Sequence, residues 1–493
     1  LQSNFVNTSC GILHSPPGAP SQPVPPAGES VAGSMTSTPS VTPQQRTPQP
    51  QLHRLVVEAR RSQFSNSAGS EDVAAIVQAV VQFVRLSIDR VTVGERLSVP
   101  QTEDLHNEVV ALTFVDLSDK LTGRRLRVRD CQLEVALYQL CEEEQPATER
   151  INHDGEEVSA AATLVLPAAS LEGVWESLMF GADVKSRLLG YAHSTLRFAD
   201  AGVDPAVVNC NRLILLHGEP GTGKTSLCRA LAHKLSIHMA DRYDYGCLVE
   251  VNSHSLFSKW FSESGKLVQK MFDKLHEHLA DERCLVFVLV DEVESLSAAR
   301  QACLSGSDPS DSIRVVNALL TQLDAVKRWP NVLVLTTSNI TGAIDEAFLD
   351  RCDLCLHIGL PDEPAVYEIL ASCLRELLRA GVVSSASASG AVEPPAIYAY
   401  SELNLLGGAA SERLAQSDTF RCSFRLLALS RACRGLSGRR LRKLPLLAHS
   451  VSLADCRRFR NDGAAGLLLD SFLVAMETAA VAAAPVGVST NGK

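Results

Sequence analysis

From about position 184 onward the chain alternates two kinds of apolar pattern. Short, largely apolar runs occupy Leu213–Leu216, Leu248–Val251, Leu285–Val290, Val332–Leu335 and Leu354–Ile358, interrupted only by Glu250 and His357, with the length and composition of buried strands. Between them apolar residues recur at helical spacing. One set is Leu227, Ala230, Leu231 and Leu235; a second is Leu267, Val268, Met271, Phe272 and Leu275. A third is Ile313, Val316, Leu319, Leu320 and Leu323. Five such strands with helices between them predict an α/β domain built on a five-stranded, mostly parallel sheet covered on both faces. After Pro361 the pattern turns all-helical, apart from a low-complexity stretch at 384–395 that reads as a flexible surface insertion.

Upstream the pattern differs. Val73, Ile76, Val77, Val80, Val81 and Val84 fit a helix, although their β-branched content leaves a strand open. Leu133, Val135 and Leu137 alternate with Glu134, and Val109–Val115 is another strand-like run, so 51–163 reads as a small α+β module. It carries no catalytic constellation, and its Glu142-Glu143-Glu144 run reads as a solvated loop. Residues 1–50 are rich in Pro, Ser, Thr and Gln, with Glu29 and Arg46 the only charged side chains, and read as disordered. The expected layout is a tail (1–50), an N-terminal recognition domain (51–163), a large α/β domain (164–360) and a helical lid (361–493).

Composition narrows the partners. The net charge of -10 and the lack of lysine/arginine runs count against direct nucleic-acid binding. The 14 cysteines are scattered, several inside apolar elements; Cys352 and Cys355 have a zinc-like spacing without a second pair. Reduced thiols are expected. No basic-then-apolar leader and no uncharged membrane-length run stands out, so the chain reads as soluble.

The chemistry concentrates at Gly218-Glu219-Pro220-Gly221-Thr222-Gly223-Lys224-Thr225, a full G-x-x-x-x-G-K-[ST] phosphate loop between the first strand and a helix. Glycines let backbone N–H groups close around phosphate oxygens, and the helix N-terminus adds its dipole. Lys224 would meet the β and γ phosphates of a nucleoside triphosphate, Thr225 would ligate Mg²⁺, and Ser226 follows in the first helical turn. Asp291-Glu292 ends the third strand. Asp291 would hold Mg²⁺ through water, and Glu292 would act as general base on the attacking water. Asn339, at the end of the fourth strand, would touch the γ phosphate or that water. Trp175, Leu178, Met179 and the helical Val184–Tyr191 upstream could equally line the base or be core. Lys259-Trp260-Phe261 sets two large aromatics in a serine-rich bridge, an unusual setting for a core strand.

These parts, with Arg351 after a short helix and Arg439 in Gly435-Leu436-Ser437-Gly438-Arg439, resemble an AAA+ P-loop ATPase with a C-terminal helical lid. Arg440 and Arg442 read as a solvated basic face. More narrowly, Asn252–Lys266, Asp291–Leu296 and Ser310–Asn317 resemble the pachytene checkpoint protein 2 family, also called thyroid receptor-interacting protein 13. The likeness covers roughly 164–450 and is looser over 51–163. It implies a homohexamer that uses ATP and Mg²⁺ to remodel HORMA-domain proteins from closed to open, usually with a HORMA adaptor. Checkpoint disassembly, meiotic chromosome axes and recombination are the implied settings, in the nucleus, on chromosomes and in the cytoplasm. It further implies that Lys259, Trp260 and Phe261 form a substrate-gripping pore loop, that Arg351 is a finger for a neighbour's site and that Arg439 is a lid sensor. Two other classes share the core. A clamp-loader or helicase-like ATPase predicts a basic surface and no aromatic pore, and a nucleotide-gated scaffold predicts loss of Glu292.

Overall fold

The computed structural model describes residues 52–63, 70–101, 104–116, 123–142, 146–153, 156–181, 183–204, 207–251, 264–294, 311–339, 344, 346–384, 397–406, 418–455 and 467–483. The tail 1–50, Lys259-Trp260-Phe261 and nearly all of the 384–395 stretch lie outside the described residues.

The N-terminal domain is a four-stranded sheet with one long helix. Strands β1 (His53–Arg61), β2 (Arg96–Ser98), β3 (Val109–Val115) and β4 (Cys131–Tyr138) lie in the order β2-β3-β1-β4, with β1 and β4 parallel. Helix α1 is Ser70–Ser87. The β-branched residues that left a strand open are helical because Ile76, Val80 and Val84 form one stripe, buried with Leu55, Val57 and Phe114.

The second sheet has seven strands. They are β5 (Ala147–His153), β6 (Glu156–Leu166), β7 (Leu213–His217), β8 (Tyr245–Val251), β9 (Cys284–Val290), β10 (Val332–Ser338) and β11 (Leu354–His357), in the order β11-β7-β10-β9-β8-β6-β5. The five strands read from the sequence are the parallel part; β6 joins β8 antiparallel, and β5 joins β6 antiparallel. The hairpin therefore belongs to this sheet, and the boundary expected at 163/164 cuts through β6, where Thr163 is paired with Val249. Nothing in its sequence, Glu156-Glu157-Val158-Ser159 and three alanines before Leu164-Val165-Leu166, says which open edge it pairs with, β8 or the N-terminal sheet. Covering β8 removes an unpaired backbone edge from the larger sheet.

Helices α2 (Val184–Asp200) and α3 (Lys224–His238) cover one face, α4 (Ser264–Leu279) and α5 (Asp311–Val326) the other. Strand β9 shows why its sequence has no polar position. Val286, Val288 and Val290 pack toward α4 and α5, while Leu285, Phe287 and Leu289 pack toward α2 and α3. The lid packs α6 (Glu363–Arg379), α7 (Asp418–Ala432), α8 (Gly438–Asp455) and α9 (Leu469–Ala483) around Tyr367, Leu370, Leu441, Leu444 and Phe472. It starts where Asp362 caps α6, its carboxylate accepting from the Ala365 N–H at 3.0 Å, with a proline in the first turn.

Three buried titratable groups make this fold acid-sensitive. Burial holds the His193 and His233 rings down to about 4, and the His233 Nδ1 accepts the Ala168 N–H at 3.3 Å, which an imidazolium could not do. Burial acts to raise Glu58, but the Lys234 ammonium and His238 outweigh it and hold the carboxyl at about 2. All three folded-state values lie below the unfolded ones, so the unfolded chain binds more protons and stability falls as pH falls. The histidine contribution is complete above pH 6.5 and is lost toward 4; the Glu58 contribution is complete above 4.5 and is lost toward 2. A series of thermal melts should show the melting temperature dropping between pH 7 and 5, then again below 4.5. A flat profile from 7 to 4.5 would contradict the buried neutral histidines.

Candidate active site

The phosphate loop joins β7 to α3, and its conformation requires glycine. Gly218 has φ 146°, and a Cβ there would lie 2.2 Å from the Ile358 carbonyl oxygen. Alanine at this position would displace the β11 end or the loop itself. Glu219 and Pro220 are exposed at the tip, and the Thr222 hydroxyl donates to the Glu219 carbonyl at 3.0 Å. Gly223 caps α3 with φ 101°. Lys224, 4 % exposed, donates to the Gly218 and Glu219 carbonyls at 2.9 and 2.8 Å. Burial lowers its pKa below the ordinary lysine range against the pull of Glu294 and Asp291. Ser226 is half-buried in the first turn of the helix.

The ends of the central strands deliver the acids. The Thr225 hydroxyl donates to Asp291 at 2.9 Å, and the Thr337 hydroxyl donates to the same carboxylate. Hydroxyl and carboxylate oxygens of this kind are the hard donors that Mg²⁺ prefers. Glu292 follows with φ 57°, a left-handed conformation that is costly for glutamate and concentrates at functional sites. Its N–H donates to Thr337 Oγ1 at 3.3 Å, and the next N–H, of Val293, donates to the Thr337 carbonyl at 2.9 Å. Asn339 ends the neighbouring segment, where its Nδ2 donates to Glu292 Oε1 at 3.3 Å and its N–H to Glu294 Oε1 at 3.0 Å. The sequence-predicted Lys224, Thr225, Asp291, Glu292 and Asn339 thus converge on one end of the parallel sheet, outside the carboxyl ends of its strands.

A pocket of about 260 Å³ adjoins the loop, lined by Met179, Phe180, Val184, Thr222, His357 and Leu360 among others. This divides the upstream segment that composition left undivided. Met179 and Val184 line the pocket, whereas Trp175 is buried in the core with Leu188 and Leu231. From the lid, the Arg439 N–H donates to the Gly221 carbonyl at 3.1 Å, which seats the start of α8 on the phosphate loop.

Residues 214–360 match the ATPase family associated with various cellular activities (AAA), and 362–483 match the TRIP13-like, AAA+ ATPase lid C-terminal domain. The pachytene checkpoint protein 2 homolog of Gallus gallus is 48 % identical over 348 residues, 70 % of this chain and 77 % of the relative. That of Oryza sativa subsp. indica is 44 % identical over 429 residues, 85 % of this chain and 88 % of the relative. The chain belongs to the pachytene checkpoint protein 2 family. Among solved structures, C. elegans PCH-2 superposes with a TM-score of 0.67 at 31 % identity, covering 87 % of this chain and 99 % of that one. As an AAA ATPase of this family the chain binds ATP and is an ATP hydrolase. No helix among the described residues is long and apolar enough to cross a membrane.

Two arginines stand apart in this family member. Arg439 is exposed, and its charge contributes to depressing Lys224, after burial. Arg351 is engaged within its own chain, by Asp324 through Nε and Nη2 and by the Ala347 carbonyl through Nη1, at 2.7–3.2 Å. Of the pair expected as a solvated face, Arg440 and Arg442 are both exposed, and Arg442 also donates to the Ser177 carbonyl across the lid boundary. Sequence reasoning missed Thr337 and Glu294. The change from four apolar residues to Thr336-Thr337-Ser338 at the strand end was the available signal for Thr337. Glu294 had only its nearness to Glu292.

Proposed function

We propose that this chain forms a homohexamer coupling ATP hydrolysis to the conversion of HORMA-domain proteins from closed to open, with a HORMA adaptor. It would serve checkpoint disassembly and meiotic axis and recombination control, on chromosomes in the nucleus and in the cytoplasm. The observation that carries the reading is a complete hydrolytic site on a chain alike to pachytene checkpoint protein 2 homologues through both the nucleotide domain and the lid. Lys224 binds the β and γ phosphates; Thr225 and, through water, Asp291 would hold Mg²⁺, which would supply neutralisation of charge on the phosphate oxygens. Glu292 takes a proton from the attacking water, and Asn339, hydrogen-bonded to Glu292, orients that water. The 260 Å³ pocket beside the loop receives the base, and Arg439 reports nucleotide to the lid.

In this reading Lys259, Trp260 and Phe261 grip an extended substrate, because aromatics give large, sequence-tolerant contact with few rotatable bonds. The test is ATP turnover and HORMA opening, with and without a HORMA-domain substrate and adaptor, for the natural chain and Trp260→Ala. The natural chain should be stimulated and should open the substrate. Trp260→Ala should keep basal turnover and its melting temperature while losing both responses. Loss of about 3–5 kcal/mol in the variant, with opening in proportion to the folded fraction, would make Trp260 a core residue instead. No stimulation of the natural chain would overturn the HORMA reading.

A further inference from the structure

We propose that Glu58, in the N-terminal domain, is a positioning residue for the nucleotide site, acting through Lys234 at the far end of the phosphate-loop helix. The proposal requires the family's ATPase activity and is independent of the HORMA reading.

Helix α3 begins at Lys224 in the phosphate loop and runs through the core to His238, roughly 20 Å at 1.5 Å per residue. One turn before its end the Lys234 ammonium donates to Glu58 Oε2 at 2.8 Å and to Glu176 Oε1 at 2.6 Å. The other Glu58 oxygen lies 2.7 Å from His238 Nε2. The Glu58, Lys234 and His238 side chains are only 3–4 % exposed. Glu58 sits in mid-strand on β1, paired with Thr113 on one side and Ala136 on the other. A shift of the N-terminal sheet would therefore carry the carboxylate with it.

Such a cluster is seldom more stabilising than an apolar one of the same shape, since buried ion pairs can often be replaced by apolar residues at no cost. What it does supply is a defined position, because neither charge can leave its partner without becoming buried and unpaired. The surrounding contacts point the same way. Ile237 of α3 packs with Tyr138 and Leu140, and Arg60 and Arg96 of the N-terminal sheet both pair with Glu172, at 3.0 and 3.1 Å. Glu172 and Glu176 lie just before Leu178, Met179 and Phe180. Leu178 and Phe180 stand against Gly223 in the phosphate loop, while Met179 and Phe180 line the adjoining pocket. The N-terminal domain thus holds two walls of the nucleotide site from behind, one through Lys234 and one through the Glu172–Glu176 segment. Linkage is reciprocal, so a ligand that moves this domain changes nucleotide affinity, and nucleotide changes that ligand's affinity by the same factor.

The experiment uses the full chain. Glu58→Gln keeps shape and removes charge; Glu58→Leu with Lys234→Met replaces the pair by apolar side chains and covers the case in which the first variant does not fold. Val80→Ala, in the N-terminal core away from the junction, matches a loss of stability without touching the cluster. A fluorescent ADP gives the nucleotide dissociation constant, and turnover gives KM and kcat, all per folded molecule. The junction variants should raise the dissociation constant and the KM for ATP about five-fold or more, with kcat changed much less. Val80→Ala should leave both unchanged. Unaltered nucleotide affinity in the folded junction variants, or an equal shift in Val80→Ala, overturns the proposal.

Discussion

Glu292→Gln is expected to lower ATP turnover by roughly 10²–10⁴-fold, the usual share of a general base, while nucleotide binding survives. The amide has the size of the carboxylate and can still meet the Asn339 Nδ2 that lies 3.3 Å from Glu292 Oε1. What it cannot do is take the proton. Asp291, Thr225 and Lys224 are untouched, so ATP should be bound and retained. The φ of 57° at Glu292 sharpens the test, because an arrangement that costs backbone energy is kept for the side chain it aims. Single-turnover hydrolysis and equilibrium binding of labelled ATP, measured on the same preparation, separate the steps. Near-normal turnover would remove Glu292 from the chemistry, and loss of binding would make it part of the phosphate cradle.

Arg351→Ala carries the largest effect, about 10³–10⁵-fold in rate, if the guanidinium neutralises charge on phosphoryl transfer in a neighbouring subunit. Its grip on Asp324 offers a competing account. That pair is about one-third exposed on each side, and ion pairs at such sites contribute about 0–1 kcal/mol. A brace of that strength cannot account for a thousandfold loss. The two accounts separate in Asp324→Asn. A finger predicts that Asp324→Asn retains most activity while Arg351→Ala does not, and that mixed hexamers of Arg351→Ala and Glu292→Gln subunits regain some turnover. Some interfaces in such mixtures pair an intact Glu292 with an intact Arg351. A brace predicts similar, modest losses in both single variants and no gain on mixing. Absence of rescue in hexamers shown to be mixed would count decisively against the finger.

The sequence by itself determined the local elements and the chemistry that is local in the chain. The phosphate loop is one contiguous stretch whose glycines, lysine and hydroxyl each answer a separate demand of a bound phosphate. Asp291-Glu292 was legible because seven consecutive buried positions in β9 end abruptly in two acids. The five parallel strands were legible for a related reason, since burial on both faces leaves few polar positions ahead of the strand ends. The family's motifs then identified residues that no periodicity could assign.

Tertiary structure decided what depends on partners distant in sequence. Strand β6 is mostly Glu, Ser, Ala and Thr before Leu164-Val165-Leu166, and only the open edge of β8 determines that it joins the ATPase sheet. Thr337 could be seen as polar, yet its bonds to Asp291 and Glu292 exist because β9 and β10 lie side by side. Met179 and Trp175, four residues apart, were indistinguishable until one lined the pocket and the other entered the core. The Glu58–Lys234 contact spans 176 positions, and neither residue sits in a motif. A buried charge is legible only with its partner, and pairing at that range is set by how two domains pack.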